Sequence, residues 1–398
     1  MKDMIFQSAD ILLPKEEYLH TWPVIACDQF TSEKDYWDTV NAMYKNKVSS
    51  LHTILPEAYL KNDNSKDIKK IHDTMNDYLQ QNIFTEYKDC YIYVERTLAN
   101  QTIRKGLIGK LDLREYDFIP SHKTPVRASE KTVEERIPPR LKTKLGSSLD
   151  VSHIIVFCDD DEYRIIEPLS KMKDKMQCLY DMDLCMEGGH IRGWLVEGEL
   201  KEQTDRNLFY YVEHQKEKYN QLLAYAVGDG NHSLAAMKET YRLLNADPYA
   251  LVELENIHDP VQVFEPIHRC LTDIDTDDFI LKLKEDFPKE EGIAIPWYTR
   301  TSQGTVYLPV FRNTEVLETL QPFLDRYIKE HKGKIDYIHG KESLLQLCQK
   351  DHTIGLLLPA FSSHDLFSYI DQYGVFPRKA FSIGEAKEKR YYMECRKI

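Results

Sequence analysis

The sequence contains no run of about 18 or more apolar residues, so no segment reads as a helix able to cross a bilayer. The opening residues, MKDMIFQSADILLPKEEYLH, lack the basic region, apolar core and small-residue cleavage site of a signal peptide. A cytoplasmic location is therefore expected. The eight cysteines follow no framework spacing, which in a chain of 398 residues predicts reduced thiols and no disulfides. Positive charge is in deficit: a formal net charge of −13 repels nucleic-acid phosphates, and basic stretches such as KEKRYYMECRKI are too local to form a track. DNA, RNA and membranes are excluded as expected partners, whereas a small anion in a locally positive pocket is not. Repeats, low-complexity tracts and Gly- or Pro-rich linkers are also missing, so composition marks no domain boundary.

What the chain does have is 42% hydrophobic residues, enough for a sizeable core and, at this length, for two domains. YIYVERTLANQTIRKGLIGKLDL alternates around LANQT and predicts two antiparallel strands, and HIIVFCDDD predicts another strand. Residues 121–145 are polar and basic and contain IPPR, which reads as a loop leading into or interrupting a helix. From DDFILKLKEDF to RYYMECRKI, helical and strand patterns alternate. The expected class is α/β with mixed strand directions and some α+β character, with a second sheet in the last third.

The stretch AYAVGDGNHSLAAMKETY, Ala224 to Tyr241, carries the strongest chemical signal. An apolar strand breaks on Gly-Asp-Gly-Asn-His, then Leu234, Met237, Tyr241 and Leu244 recur at helical spacing. Gly228 and Gly230 tolerate positive φ, Asp229 or Asn231 can cap the new helix, and a helix N-terminus with free amides attracts anions. A phosphate above Asn231 to Leu234, with His232 donating a hydrogen bond or carrying a proton, is one reading; an Asx-capped turn with a surface histidine is the other. The Walker lysine and the third glycine of a dinucleotide fingerprint are both missing.

This turn resembles the Asp-Gly-x-His signature of domain-of-unknown-function family one thousand and fifteen. VIACDQFTSEKDYW stands where that family has an early Tyr-Asp-Val segment, EPIHRCL matches its Pro-x-His-Arg segment, and GVFPRKAFSIGEAKEKRYYMECRKI matches an ending found in one branch. The family is in turn distantly similar to the ParB and sulfiredoxin superfamily, which includes a free-serine kinase. That resemblance implies a ParB/sulfiredoxin-like core with a mixed sheet over residues 1–270 and a C-terminal α/β portion over 271–398. It also implies that Gly230, Asn231, His232 and Ser233 hold nucleotide phosphates, and that an acid in the early loop, Glu33 or Asp28, activates a substrate hydroxyl. Ser233 replaces the superfamily's arginine, which removes a bidentate phosphate clamp; Arg269, Arg378 or Arg390 would have to supply the charge.

The function expected on this basis is nucleotide-dependent phosphotransfer to a small hydroxylated metabolite, free serine first, with ATP or ADP and Mg²⁺ as cofactors. Asp229 would bind Mg²⁺ or orient His232; His268 and Arg269 would add phosphate contacts; Arg378, Lys379, Ser382, Lys389 and Arg390 would bind substrate. Each has a plainer reading: TSEKDYW as a helix start with acids in its first turn, His268 as a core-edge histidine, and the C-terminal cations as a solvated face. Two other functions stay open: a metal-dependent phosphohydrolase using Asp229, His232 and His268, and a nucleotide-binding regulator without turnover. Homo-oligomerisation is left open. Cys178, Cys185 and His190 fit no zinc spacing, and Asn231 stands where a sulfiredoxin-like reactive thiol would be.

Overall fold

A computed structural model describes residues 4–132, 137–245 and 247–398; residues 133–136 of the polar 121–145 segment lie outside the described residues. The chain forms two compact units, Met1–Gln262 with Glu385–Ile398, and Val263–Gly384. This division differs from 1–270 and 271–398 in two ways. The first break falls before the strand that carries His268, and the C-terminal segment returns to the first unit through Cys395–Lys397, which pairs with Leu149–Val151 and Ala9–Pro14.

The first unit is built on a 13-stranded mixed sheet. The two strands expected around LANQT are Phe84–Thr97 and Ile103–Asp112, antiparallel with Thr97 opposite Ile103. The period of two along the first of them sends Tyr91 and Tyr93 to one face and Ile92 and Val94 to the other, and both sets are buried. Each face therefore carries its own apolar cluster, one including Trp22, Trp37, Ile92 and Ile108, the other Phe6, Tyr91, Tyr93 and Tyr225. The same alternation continues the first face into charge: Arg96, Arg104, Glu253 and Glu255 are all buried there. A strand buried on both faces has no polar side to alternate with, which is why Leu223 to Val227 reads as an unbroken hydrophobic run.

That run becomes the strand Tyr225–Asp229. It pairs parallel with Val126–Ala128 and antiparallel with Ile155–Cys158, the strand expected from HIIVFC. The helix Asn231–Leu244 follows at once, as its periodicity requires. IPPR opens a helix, Ile137–Lys144, because proline fits the first turn, where the missing N–H costs nothing.

The second unit has its own six-stranded sheet, in the order Gln303–Leu308, Ile293–Tyr298, Ile354–Leu356, Phe264–Thr272, Lys334–His339, with Phe381–Ile383 added to the start of Phe264–Thr272. Its principal helices are Thr276–Asp286, Val316–Glu330, Lys341–Leu347 and Asp365–Tyr373. The protein is thus mixed α/β. None of its described helices is long and apolar enough to cross a membrane.

Candidate functional site

The turn between strand Tyr225–Asp229 and helix Asn231–Leu244 is set by its two glycines. Gly230 has φ of +79°, and a Cβ there would lie 3.2 Å from Ile154 Cα. A Cβ on Gly228 would lie 2.5 Å from the Phe157 ring. Both positions let neighbouring chain approach closely, and Gly230 also supplies the left-handed conformation. The residue at the cap position, Gly230, has no side chain with which to cap the helix. The N–H groups of Asn231, His232 and Ser233 precede the first intrahelical bond, from Leu234 N–H to Gly230 O at 2.9 Å, so the turn presents an amide end of the kind that attracts anions.

Side chains around this end divide into two groups. Asp229 looks back towards the C-terminal segment: its Oδ1 accepts the Gly230 N–H at 2.9 Å, and its Oδ2 lies 3.3 Å from Lys389 Nζ. Lys389 thus stands where a divalent ion would approach Oδ2, so the carboxylate does not suit an Mg²⁺ ligand. The Asn231 side-chain oxygen is buried and accepts no hydrogen bond among the described residues, and His232 is half-buried.

Ser233 points to the other flank, where its Oγ is 3.4 Å from His153 Nε2. Here a cavity of about 60 Å³ opens, lined by Cys27, Glu57, Arg140, Lys144, His153, Ser233 and Tyr392 together with apolar Ile54, Leu55, Leu60, Met75 and Pro139.

Asp28 reaches the rim of this cluster from the early loop. Its Oδ2 lies 3.7 Å from His153 Nε2 and 3.6 Å from an Arg140 guanidinium nitrogen, and its Oδ1 accepts from Gln29 Nε2 at 3.1 Å. Burial works against its ionisation, but His153, Arg140 and Gln29 outweigh burial and hold the carboxyl well below the usual carboxylate range. Arg140 also pairs with Glu57. Burial, reinforced by Asp28, pushes the Cys27 thiol up to about 11, so it stays protonated and is no nucleophile.

The structure therefore brings Asp28 and Ser233 together. Glu33 is exposed at the start of helix Lys34–Tyr44, makes no capping hydrogen bond and does not line the cavity. His268 and Arg269 belong to the second unit. His268 is buried, its Nδ1 accepts the Leu358 N–H at 3.1 Å, and burial, Arg269 and His339 push its pKa down to about 4. Arg269 is fully buried, bonding Gln321 Oε1 at 2.8 Å, the Ile267 carbonyl at 2.6 Å and the Lys379 carbonyl at 3.1 Å. Arg378 is exposed in that unit, and Ser382 donates to the Gly384 carbonyl at 3.0 Å. Arg390 is buried in the first unit, held by Glu253 at 2.7 Å and Glu394 at 2.8 Å, so its charge is committed internally.

The cations that line the cavity together with Ser233 are instead Arg140 and, one helical turn on, Lys144, and neither was among the expected site residues. Proline at the helix start was the signal that could have found them: it predicts an ordered helix whose first turn carries Arg140. His153 and Tyr392 offered no local pattern at all. Among the described residues no group of three or more His, Cys, Asp or Glu side chains could hold a metal ion.

Comparison with solved structures finds similarity at low identity. A free serine kinase in complex with AMP is 11% identical with a TM-score of 0.40, covering 71% of this chain and 90% of that one. SbnI from Staphylococcus aureus, with a C-terminal truncation, is 8% identical with a TM-score of 0.38, covering 70% and 83%. A conserved hypothetical protein from Pyrococcus furiosus is 12% identical with a TM-score of 0.36, covering 69% and 88%. No curated protein matches the chain. A family model matches residues 8–371, nearly the whole length, and the chain belongs to that family, described as a protein of unknown function (DUF1015).

Proposed function

We propose that the protein is a phosphotransferase that passes a phosphoryl group from a nucleotide, ATP or ADP, to the hydroxyl of a small metabolite, with free serine as the first acceptor to test. The observation that supports this reading is the meeting of Asp28, His153 and Ser233 at the start of helix Asn231–Leu244. Phosphoryl transfer demands positioning and charge neutralisation more than covalent chemistry by the protein. The helix amides would hold the transferring phosphate; Arg140, paired with Glu57 and Asp28, and Lys144, 3.4 Å from Asp150, would each have to exchange a carboxylate for the phosphate to add charge.

A water needs at least about 10–15 Å³ of such space, so a cavity of about 60 Å³ has room for an acceptor of a few heavy atoms. The nucleotide would lie outside it, with its phosphates on the helix end and any Mg²⁺ carried on those phosphates. In the reaction the acceptor oxygen bonds to phosphorus as the bond from phosphorus to the leaving phosphate oxygen breaks, and the hydroxyl proton passes to Asp28. A carboxylate held ionised orients the hydroxyl throughout and, being a weak base, takes its proton only as the new bond to phosphorus forms.

The test is incubation of the full chain with ATP or ADP, with and without Mg²⁺ and serine, following phosphoserine and nucleotide loss by phosphorus NMR. Product that depends on both substrates supports the reading. Neither product nor nucleotide binding in a thermal-shift assay removes it.

A further inference from the structure

We propose that His153 is a positioning residue which keeps its Nε2 proton directed at Asp28, with Tyr392 holding the opposite ring nitrogen, so that Asp28 Oδ2 stays available to a substrate hydroxyl. This rests on the phosphotransferase reading above.

The geometry is fixed from several sides. His153 is buried in the short link between strands Leu149–Val151 and Ile155–Cys158, so its backbone has little freedom. Tyr392 is anchored by its own N–H to the Val24 carbonyl at 2.8 Å. Its hydroxyl oxygen accepts the Cys27 N–H at 3.2 Å and lies 2.9 Å from His153 Nδ1. A single phenol thus steadies both the imidazole and the backbone immediately before Asp28.

Proton placement follows from what faces each nitrogen. If Tyr392 donates to Nδ1, the neutral ring carries its proton on Nε2; if the ring is doubly protonated, Nε2 carries one as well. Only a third arrangement, with the proton on Nδ1 alone, leaves Nε2 bare. That arrangement sets a lone pair against the Asp28 carboxylate at 3.7 Å, acceptor against acceptor, and is disfavoured electrostatically. The other groups facing this centre do not reverse the preference. Arg140 stabilises the same carboxylate, Glu57 is paired with Arg140 and the Cys27 thiol is protonated; Ser233 Oγ, 3.4 Å from Nε2, can accept from a protonated Nε2, and only a Ser233 that donates to it would favour the bare nitrogen, which a nitrogen spectrum detects.

At 3.6 and 3.7 Å, the contacts from Arg140 and His153 to Oδ2 are longer than direct hydrogen bonds. Oδ2 can therefore still accept from an incoming hydroxyl, and such contacts tighten when a substrate binds. A ring already protonated on Nε2 cannot take the hydroxyl proton, so His153 supports Asp28 and does not replace it.

Two measurements on the full chain test this without turnover. Long-range proton–nitrogen spectra of histidine-labelled protein at neutral pH should show Nε2 of His153 protonated; a bare Nε2 with the proton on Nδ1 overturns the proposal. Carbon-detected titration of the Asp28 carboxyl should show its midpoint rising by about 1 pH unit or more in His153→Leu and returning part of the way in His153→Gln, which keeps an N–H donor. An unmoved midpoint in a folded His153→Leu protein also overturns it. Should that variant fail to fold, the wild-type nitrogen spectrum decides alone, and Tyr392→Phe should add a second tautomer to it. A protein with these spectra that transfers no phosphate defeats the phosphotransferase reading while leaving the positioning role intact.

Discussion

His153 with Arg140 in the first unit and His268 with Arg269 in the second pair the same two residue types, yet their surroundings differ in kind. Arg140 and His153 face the carboxylates of Glu57 and Asp28 beside an open cavity. Arg269 is tied to an amide side chain and to main-chain carbonyls, and His268 accepts a main-chain N–H. Side-chain carboxylates can trade a partner for a ligand; main-chain groups inside a sheet cannot leave without unfolding it. A histidine and an arginine side by side in sequence therefore say little about function until their partners are known.

The sharpest way to break this contrast is a pair of substitutions. Asp28→Asn should lower turnover by about 10²-fold or more, because the amide keeps the volume and loses the acceptor charge, and should also lower the melting temperature, because the charge that pairs with Arg140 and His153 is gone. His268→Asn should leave turnover within about twofold, since the asparagine oxygen can still accept the Leu358 N–H. Steady-state kinetics of the two variants decide it: normal turnover in the first and loss in the second would invert the comparison.

Two glycines with nearly equal φ give a middle-sized effect. Gly230 and Gly340 have φ of +79° and +81°, but ψ is 25° at the first and 138° at the second, so only Gly230 is left-handed helical. A Cβ on Gly230 meets Ile154 Cγ1 at 3.1 Å, whereas on Gly340 the nearest atom is 4.0 Å away and backbone strain alone opposes a side chain. The left-handed conformation costs alanine about 1–2 kcal/mol at Gly230. Denaturation of Gly230→Ala should show that loss plus the cost of displacing Ile154; a loss no larger than the backbone cost would mean that the close approach at the motif turn is soft.

The smallest effects are opposed pH slopes. His268 falls from 6.5 to about 4, so between these values the unfolded chain binds a proton that the folded chain refuses, and stability drops as pH falls. Glu255 rises from 4.5 to about 7, chiefly through burial against the pull of Arg104, so the folded chain keeps a proton that the unfolded chain has lost. Its contribution is full below pH 4.5 and is lost as pH rises through 7. Between pH 4.5 and 6.5 the two slopes oppose each other. Denaturation across this range should show stability falling towards acid in Glu255→Gln and rising towards acid in His268→Asn, with the parent between them; an unchanged curve in either variant removes that residue from the account.

The strand, turn and helix around Asp229 were legible because each rests on local rules: an apolar run, glycines at the corner and a 3.6-residue period. The hairpin around LANQT was legible by its alternation. Asp28 could be named as an early-loop acid, but nothing local separated it from Glu33, and their difference is one of burial. The expected arginines were named from chain position, whereas Arg390 is spent on Glu253 and Glu394, which lie opposite it only in the folded sheet.

By itself, the sequence determined the mixed α/β class, the family and the corner that exposes the helix amides, since periodicity and backbone freedom act over a few residues. Only the tertiary structure decided which charges meet there. Cys27 and Tyr392 lie at opposite ends of the chain, with His153 and Arg140 between them, and pairings over such separations depend on strand order and register, which no local pattern encodes.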